Sequence, residues 1–203
     1  MFTLGMQGKK WNIFLTAVKL FSERGYESVS MNEIAEANGI RAASLYNYFA
    51  SKENILDLIY RFYRENVLLA APDMESVLSL IPEKSANEIL HMSMSYYDDE
   101  LQPIMDSVYM IAIMQARRNP RAYETIWKYN IEHSKSCLRT VLLRMIELGK
   151  IEPMDIESFL ELFISFAFTA IFRNPTQNAL GLDGWLRGLD LLFSLVKDIP
   201  AGV

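Results

Sequence analysis

The sequence predicts an all-α chain, with an N-terminal three-helix domain followed by a larger C-terminal helical bundle domain, and three observations carry that expectation. Apolar residues recur at intervals of three and four, the spacing of a helix with one buried face. Pro82, Pro103, Pro120, Pro153 and Pro175 stand at the joints between such stripes, where a missing donor and a clash with the preceding turn do no harm. β-Branched residues form no short alternating runs, which argues against a sandwich or barrel. The 203 residues are 51% apolar and 22% charged, enough for a real core and outside the disordered range.

Each helix has its own local signal. Ile13, Ala17, Leu20 and Phe21 make the stripe of a first helix over Lys9 to Arg24, stopped by Gly25. Ser30-Met31-Asn32-Glu33 is a capping box that opens a second, short helix, which Gly39 ends. A third short helix carries Leu45 and ends near Phe49. Ser51 caps a fourth, with Ile55, Leu58, Ile59 and Phe62 inward, running out before Pro72. Ser85-Ala86-Asn87-Glu88 is a second capping box, opening a helix to about Asp99. Asn119-Pro120 opens a long helix ending at Gly149, with Trp127, Ile131, Ser134, Leu138, Val141, Met145 and Leu148 along one heptad-like seam. Asp155 to Phe172 is apolar on nearly all sides, and Trp185, Leu189, Leu192, Val196 and Ile199 mark the last helix. The domain boundary is expected near residue 51, with 1–51 as the head and 52–203 as the body, residues 52–70 connecting them.

Charge and cysteine usage narrow the function classes. Residues 1–70 hold eight Lys and Arg against seven Asp and Glu, whereas the remaining 133 residues hold twelve against eighteen, so a near-neutral head is joined to an acidic body. Cys137 stands alone, so neither a disulfide nor a Cys-based zinc site is available, and a cytoplasmic setting is expected. His91 and His133 lack a helical partner, and no Ser, His and Asp spacing suggests a nucleophile. No metal, cofactor or enzymatic centre is expected. The longest nearly apolar run, Phe159 to Phe172, is too short to span a bilayer, and no membrane association is expected.

The segment Ser30 to Phe49 carries the chemistry: two short helices joined by a tight Gly-containing turn. Such a unit lays its second helix in the DNA major groove, where every base pair presents a distinct pattern of donors and acceptors. Ala42, Ala43, Ser44 and Asn47 are small or polar groups suited to bases, the alanines to a thymine methyl and Asn47 to adenine. Tyr46, Tyr48, Ser30 and Lys52 suit phosphates.

Leu20, Phe21, Gly25, Tyr26, Ser28, Ser30, Ile34, Ala35, Gly39, Ile40, Leu45, Tyr46, Tyr48, Phe49, Ser51, Lys52 and Glu53 together resemble the DNA-binding end of the tetracycline-repressor (TetR) family of bacterial regulators. The resemblance covers about forty residues. It implies operator contacts by Ser30, Met31, Asn32, Ala42, Ala43, Ser44, Tyr46, Asn47, Tyr48 and Lys52. Arg41 stands where the family usually has Ser or Thr, costing a cap of about 1 kcal/mol, and is placed to reach a phosphate or base instead. Ala43 stands where the family usually has Gly.

The resemblance also implies a small-molecule effector and a homodimer. Flexible thioethers and amphipathic rings suit an adaptable pocket, so Met92, Tyr96, Met105, Tyr109, Met110 and Met114, joined by Tyr123 and Trp127, are the candidate effector residues. Phe159, Phe163, Phe166, Trp185, Leu189, Leu192 and Val196 are the candidate dimer interface, their apolar faces exceeding the needs of one core. The resulting expectation is a ligand-responsive repressor on a near-palindromic double-stranded operator. The competing class is a helical small-molecule-binding protein or enzyme that uses the motif only as scaffold.

Overall fold

The computed structural model describes residues 3–94, 97, 100–171 and 181–200, with backbone alone at 168–171, 181–183 and 185. These residues fold into helices and connecting turns, with an isolated antiparallel bridge between Ile151 and Asp198. They form two compact units, one from residues 1–70 and 96–130, the other from 71–95 and 131–203.

The first unit holds α1 (Gly8–Arg24), α2 (Met31–Ala37), α3 (Ala42–Leu45), α4 (Lys52–Leu69), α7 (Gln102–Ala116) and α8 (Pro120–Ile126). Of the expected α1 stripe Ile13, Ala17 and Phe21 are buried, joined by Phe14, while Leu20 is half-buried, and Gly25, at φ 82°, donates its N–H to the Phe21 carbonyl at 3.0 Å. Trp11, Phe14 and Phe62 meet ring to ring with centroids 5.3 to 5.7 Å apart, joining α1 to α4. Tyr63 and Tyr109 tie α4 to α7 at 5.8 Å, and Asn130 donates to the Tyr63 hydroxyl at 2.8 Å.

The second unit holds α5 (Met74–Ser79), α6 (Ala86–Met92), α9 (His133–Glu147), α10 (Ile156–Ile171) and α11 (Gly181–Phe193). Val77, Ile89, Leu90, Leu138, Leu142, Phe159, Phe163, Leu189 and Phe193 form its core. Charged ties surround this core. Asp198 accepts the Ala86 N–H at the start of α6 through both oxygens at 3.1 Å, and Lys150 pairs with it at 3.3 Å. Arg139 holds Glu157 with two bonds of 2.8 Å, and the nearly buried Lys135 reaches Glu161 at 2.5 Å. Gly188 lies against the end of the Phe166 ring, so that an added Cβ there would require the ring to shift.

Three expected boundaries shift. The helix from Ser85 stops at Met92 rather than near Asp99, and α11 gives way to turns after Phe193. The long helix is continuous in outline, but residues Trp127–Glu132 form a π-helical stretch between α8 and α9. Such a wide turn accommodates an extra residue and shifts the inward face. Ile126, not Trp127, is therefore the buried residue before it, while Leu138, Val141 and Met145 keep the expected seam after it.

Candidate nucleic-acid interface

The helix-turn-helix is built from local chemistry. Ser30 caps α2 reciprocally with Glu33: the Glu33 N–H donates to the Ser30 hydroxyl, and the Ser30 N–H donates to Glu33 Oε2 at 2.8 Å. Arg24 adds an ion pair to the same carboxylate at 2.6 Å, and these bonds hold the Glu33 carboxyl down to about 2. Gly39 at φ 64° makes the turn, closed by the Ile40 N–H on the Ala35 carbonyl at 3.0 Å. Lys9, from α1, donates to the Asn38 carbonyl at 2.6 Å.

α3 begins after Arg41, whose side chain makes no capping bond, as expected from the missing Ser or Thr. It is one regular turn of helix, continuing as tighter turns through Tyr48. Leu45 and Phe49 are buried and fix its rotation. That rotation exposes Arg41, Ala43, Tyr46 and Asn47, leaves Ala42, Ser44 and Tyr48 half-buried, and brings Ser30 and Asn32 to the surface at α2. Tyr46 is 54% exposed, so its phenol is available to a partner rather than to the core.

Two expected contact residues are placed otherwise. Met31 is buried, because its position at the first turn of α2 faces the core. Lys52 points back into the head: its ammonium donates to the carbonyls of Tyr26 and Val29 at 3.0 Å each and approaches that of Glu27 at 3.5 Å. It also sits 4.3 Å from the Tyr26 ring centroid, a cation–π contact. An ammonium has three donors, and these partners occupy them. Lys52 is thus the clamp that holds the 26–29 turn on α4, a role invisible to local reading because its partners lie more than twenty residues upstream.

None of the described candidate effector residues lines the two clefts of the first unit. Met105 and Tyr109 are buried in the first unit, burial pushing the Tyr109 phenol up to about 12. Met110 is half-buried, while Met114, Tyr123 and Trp127 are exposed, the last two stacked on each other at 6.1 Å. Met92 packs against the core of the second unit, and Tyr96 lies outside the described residues. These clefts, of about 300 and 310 Å³, adjoin each other beside α4 and α8, lined among others by Asp57, Arg61, Arg64, Arg121 and Tyr129. No sequence motif marks them.

Four of the seven candidate dimer residues, Phe159, Phe163, Leu189 and Val196, lie in the interior of their own unit, Leu192 is partly buried against the same core, and Phe166 is seated on Gly188. The Trp185 side chain lies outside the description. Among the described residues, the large apolar side chains left outward on these helices and just beyond are Leu162, Leu191 and Leu195, at 56%, 72% and 59% exposed, with Ile199 at 37%.

Among the described residues, no cluster of three His, Cys, Asp or Glu side chains is arranged to hold a metal ion, and no helix is long and apolar enough to cross a membrane. Cys137 is buried, which pushes its thiol up.

Comparison with known proteins bears on the head most directly. Residues 13–59 match the profile described as bacterial regulatory proteins, tetR family. The chain is 31% identical over 113 residues to the transcriptional repressor KstR2 of Rhodococcus jostii, covering 51% of this chain and 55% of that one. The alignment therefore spans about half the length of this relative. The biofilm operon regulator IcaR of Staphylococcus epidermidis is 23% identical over 93% of this chain and 97% of its own. Among solved structures, KstR2 of Mycobacterium tuberculosis superposes with a TM-score of 0.70 at 18% identity, covering 95% of this chain and 96% of that one. PfmR of Thermus thermophilus gives 0.67 at 22% identity, covering 93% and 97%. These likenesses extend the same all-helical fold over 93% to 95% of the chain.

Proposed function

Because residues 13–59 match the model of the tetR family of bacterial regulatory proteins, we propose that the chain is a member of that family and a ligand-responsive transcriptional repressor acting in the cytoplasm and lacking a catalytic centre. One observation supports this reading above the others. Leu45 and Phe49 are anchored inside the head, and the side chains turned outward beside them are Arg41, Ala43, Tyr46 and Asn47. Small groups, an amide, a guanidinium and a phenol can approach bases and phosphates without a steric or charge penalty. Ser30 and Asn32 extend that surface along α2.

The operator is bound by a homodimer, and its symmetry calls for a near-palindrome whose half-sites lie about 34 to 36 Å apart. Leu162, Leu191 and Leu195 supply the self-association face, since large apolar side chains in water favour burial against a second copy. Within this reading residues 1–51 bind DNA, and 52–203 bind the effector and the partner copy. The effector is a small apolar or amphipathic molecule, received near the methionines of α7. Releasing DNA across a range from 1:99 to 99:1 requires it to favour the released state by about 5.5 kcal/mol.

The test is selection from a randomised double-stranded DNA pool at two salt concentrations. Enrichment of a near-palindrome that binds less tightly at the higher salt is expected, with Asn47→Ala weakening or relaxing recognition at one position of each half-site. Absence of enrichment at low salt would overturn the reading in favour of a helical ligand-binding protein.

A further inference from the structure

The paired clefts of the first unit concentrate positive charge in a chain whose net charge is −5. Arg61 and Arg64 project from α4 and Arg121 from the first turn of α8, and Lys128 lies 5.4 Å from the Tyr129 ring centroid. Against these stand Asp57, Glu124 and Glu65, the last 3.8 Å from Arg61. The cations are not equally engaged. Arg121 directs a single nitrogen, Nη1, at both Asp57 oxygens at 2.6 Å, leaving its other donors available.

Arg64 is the informative residue. It is half-buried, borders both clefts, and has no carboxylate partner among the described residues. Its guanidinium lies 5.7 Å from the Tyr129 ring centroid, and Tyr129 belongs to the π-helical stretch Trp127–Glu132. Wide turns of this kind recur where a helix must re-aim a functional side chain. Tyr60, which also borders the first cleft, has a buried hydroxyl with no hydrogen-bond partner among the described residues. A guanidinium that borders a cleft with no carboxylate beside it keeps its donors open to an anion from solution.

We propose that this α4–α8 cleft is a binding site for a small oxyanion, a carboxylate or phosphate group that bridges Arg64 and the free donors of Arg121. Guanidinium groups take both by paired N–H bonds. The site is separate from the helix-turn-helix surface and from the methionines of α7, and its test does not require that DNA be bound.

The experiment is an amide-resonance titration of the full chain, without DNA, using sodium phosphate in one arm and sodium succinate in another, against sodium chloride at matched ionic strength. Saturable shifts confined to residues 57–64 and 121–129 are expected in at least one arm, and the arm saturating at lower concentration identifies the source. Arg64→Gln, which keeps most of the stem over Tyr129, is expected to weaken that binding by about tenfold or more while leaving the rest of the spectrum in place. Arg121→Gln gives a second, independent weakening. Shifts that match chloride in both arms, or that persist unchanged in Arg64→Gln, would overturn the site.

Discussion

The helix-turn-helix head and the second unit solve the same packing problem with opposite materials. The head gathers Ile13, Phe21, Ile34, Leu45 and Ile59 from a single stretch of about fifty residues, and turns small or polar groups outward around α3. The second unit brings Val77 and Ile89 against Leu142, Phe163 and Phe193, segments whose extremes lie more than a hundred residues apart, and leaves leucines outward. A surface of small polar groups suits a hydrated, charged partner such as DNA, whereas exposed leucines suit another protein surface. On the proposed function, the two regions differ in what they present because they meet different partners.

The largest effect that would sharpen this comparison is Phe163→Ala. Removing a fully buried ring from the second unit should cost about 3–5 kcal/mol of stability by denaturant unfolding. Hydrogen exchange should place the loss in residues 71–94 and 131–171; protection lost equally across residues 13–59 would break the distinction. Next comes Lys52→Met, which removes the ammonium and leaves the carbonyls of Tyr26 and Val29 without it. We expect about 2 kcal/mol, lost from the head. Unchanged stability with weakened operator binding would return Lys52 to the phosphate role that the sequence suggests.

The contrast also explains what could be read in advance. Caps are legible because both partners lie within four residues: Ser30 with Glu33 and Ser85 with Glu88 form as the pattern requires. Lys52 is not, since its carbonyl partners are set by the path of a distant turn. Periodicity identifies apolar faces on α10 and α11 but does not say what covers them. Phe159 and Phe163 match the stripe and are claimed by their own core, whereas Leu162, off that stripe, is left outside. The π-helical stretch leaves no mark in composition, and the heptad reading through Trp127 fails at that residue for this reason.

Smaller effects test the caps and the outward faces. Ser30→Ala and Ser85→Ala should each cost about 1 kcal/mol, measured as separate shifts in unfolding midpoint, one in each unit. Leu191→Glu with Leu195→Glu should alter monomer stability by about 0.5 kcal/mol or less, yet abolish self-association in sedimentation. A dimer that survives both changes would place the interface elsewhere. Acid supplies the mildest perturbation. Glu33 and Glu88 are both held near 2, below the ordinary 4.5, by their capping bonds. Their contribution is complete above pH 4.5 and is lost as pH falls toward 2. The thermal midpoint should therefore decline across that window in the wild type, and less steeply in the Ser30→Ala, Ser85→Ala double variant.

The carbonyls of Tyr26, Glu27 and Val29 surround the Lys52 ammonium much as backbone oxygens surround a bound potassium or sodium ion. Here the cation is covalently tethered and cannot exchange with the medium. Added electrolyte competes for phosphates at the protein surface, but it weakens a partly buried contact of this kind far less. The head is thus an ion site permanently loaded with its own ion. A salt titration of operator affinity then counts phosphates, at a slope of about −0.9 per contact, without a superimposed loosening of the fold.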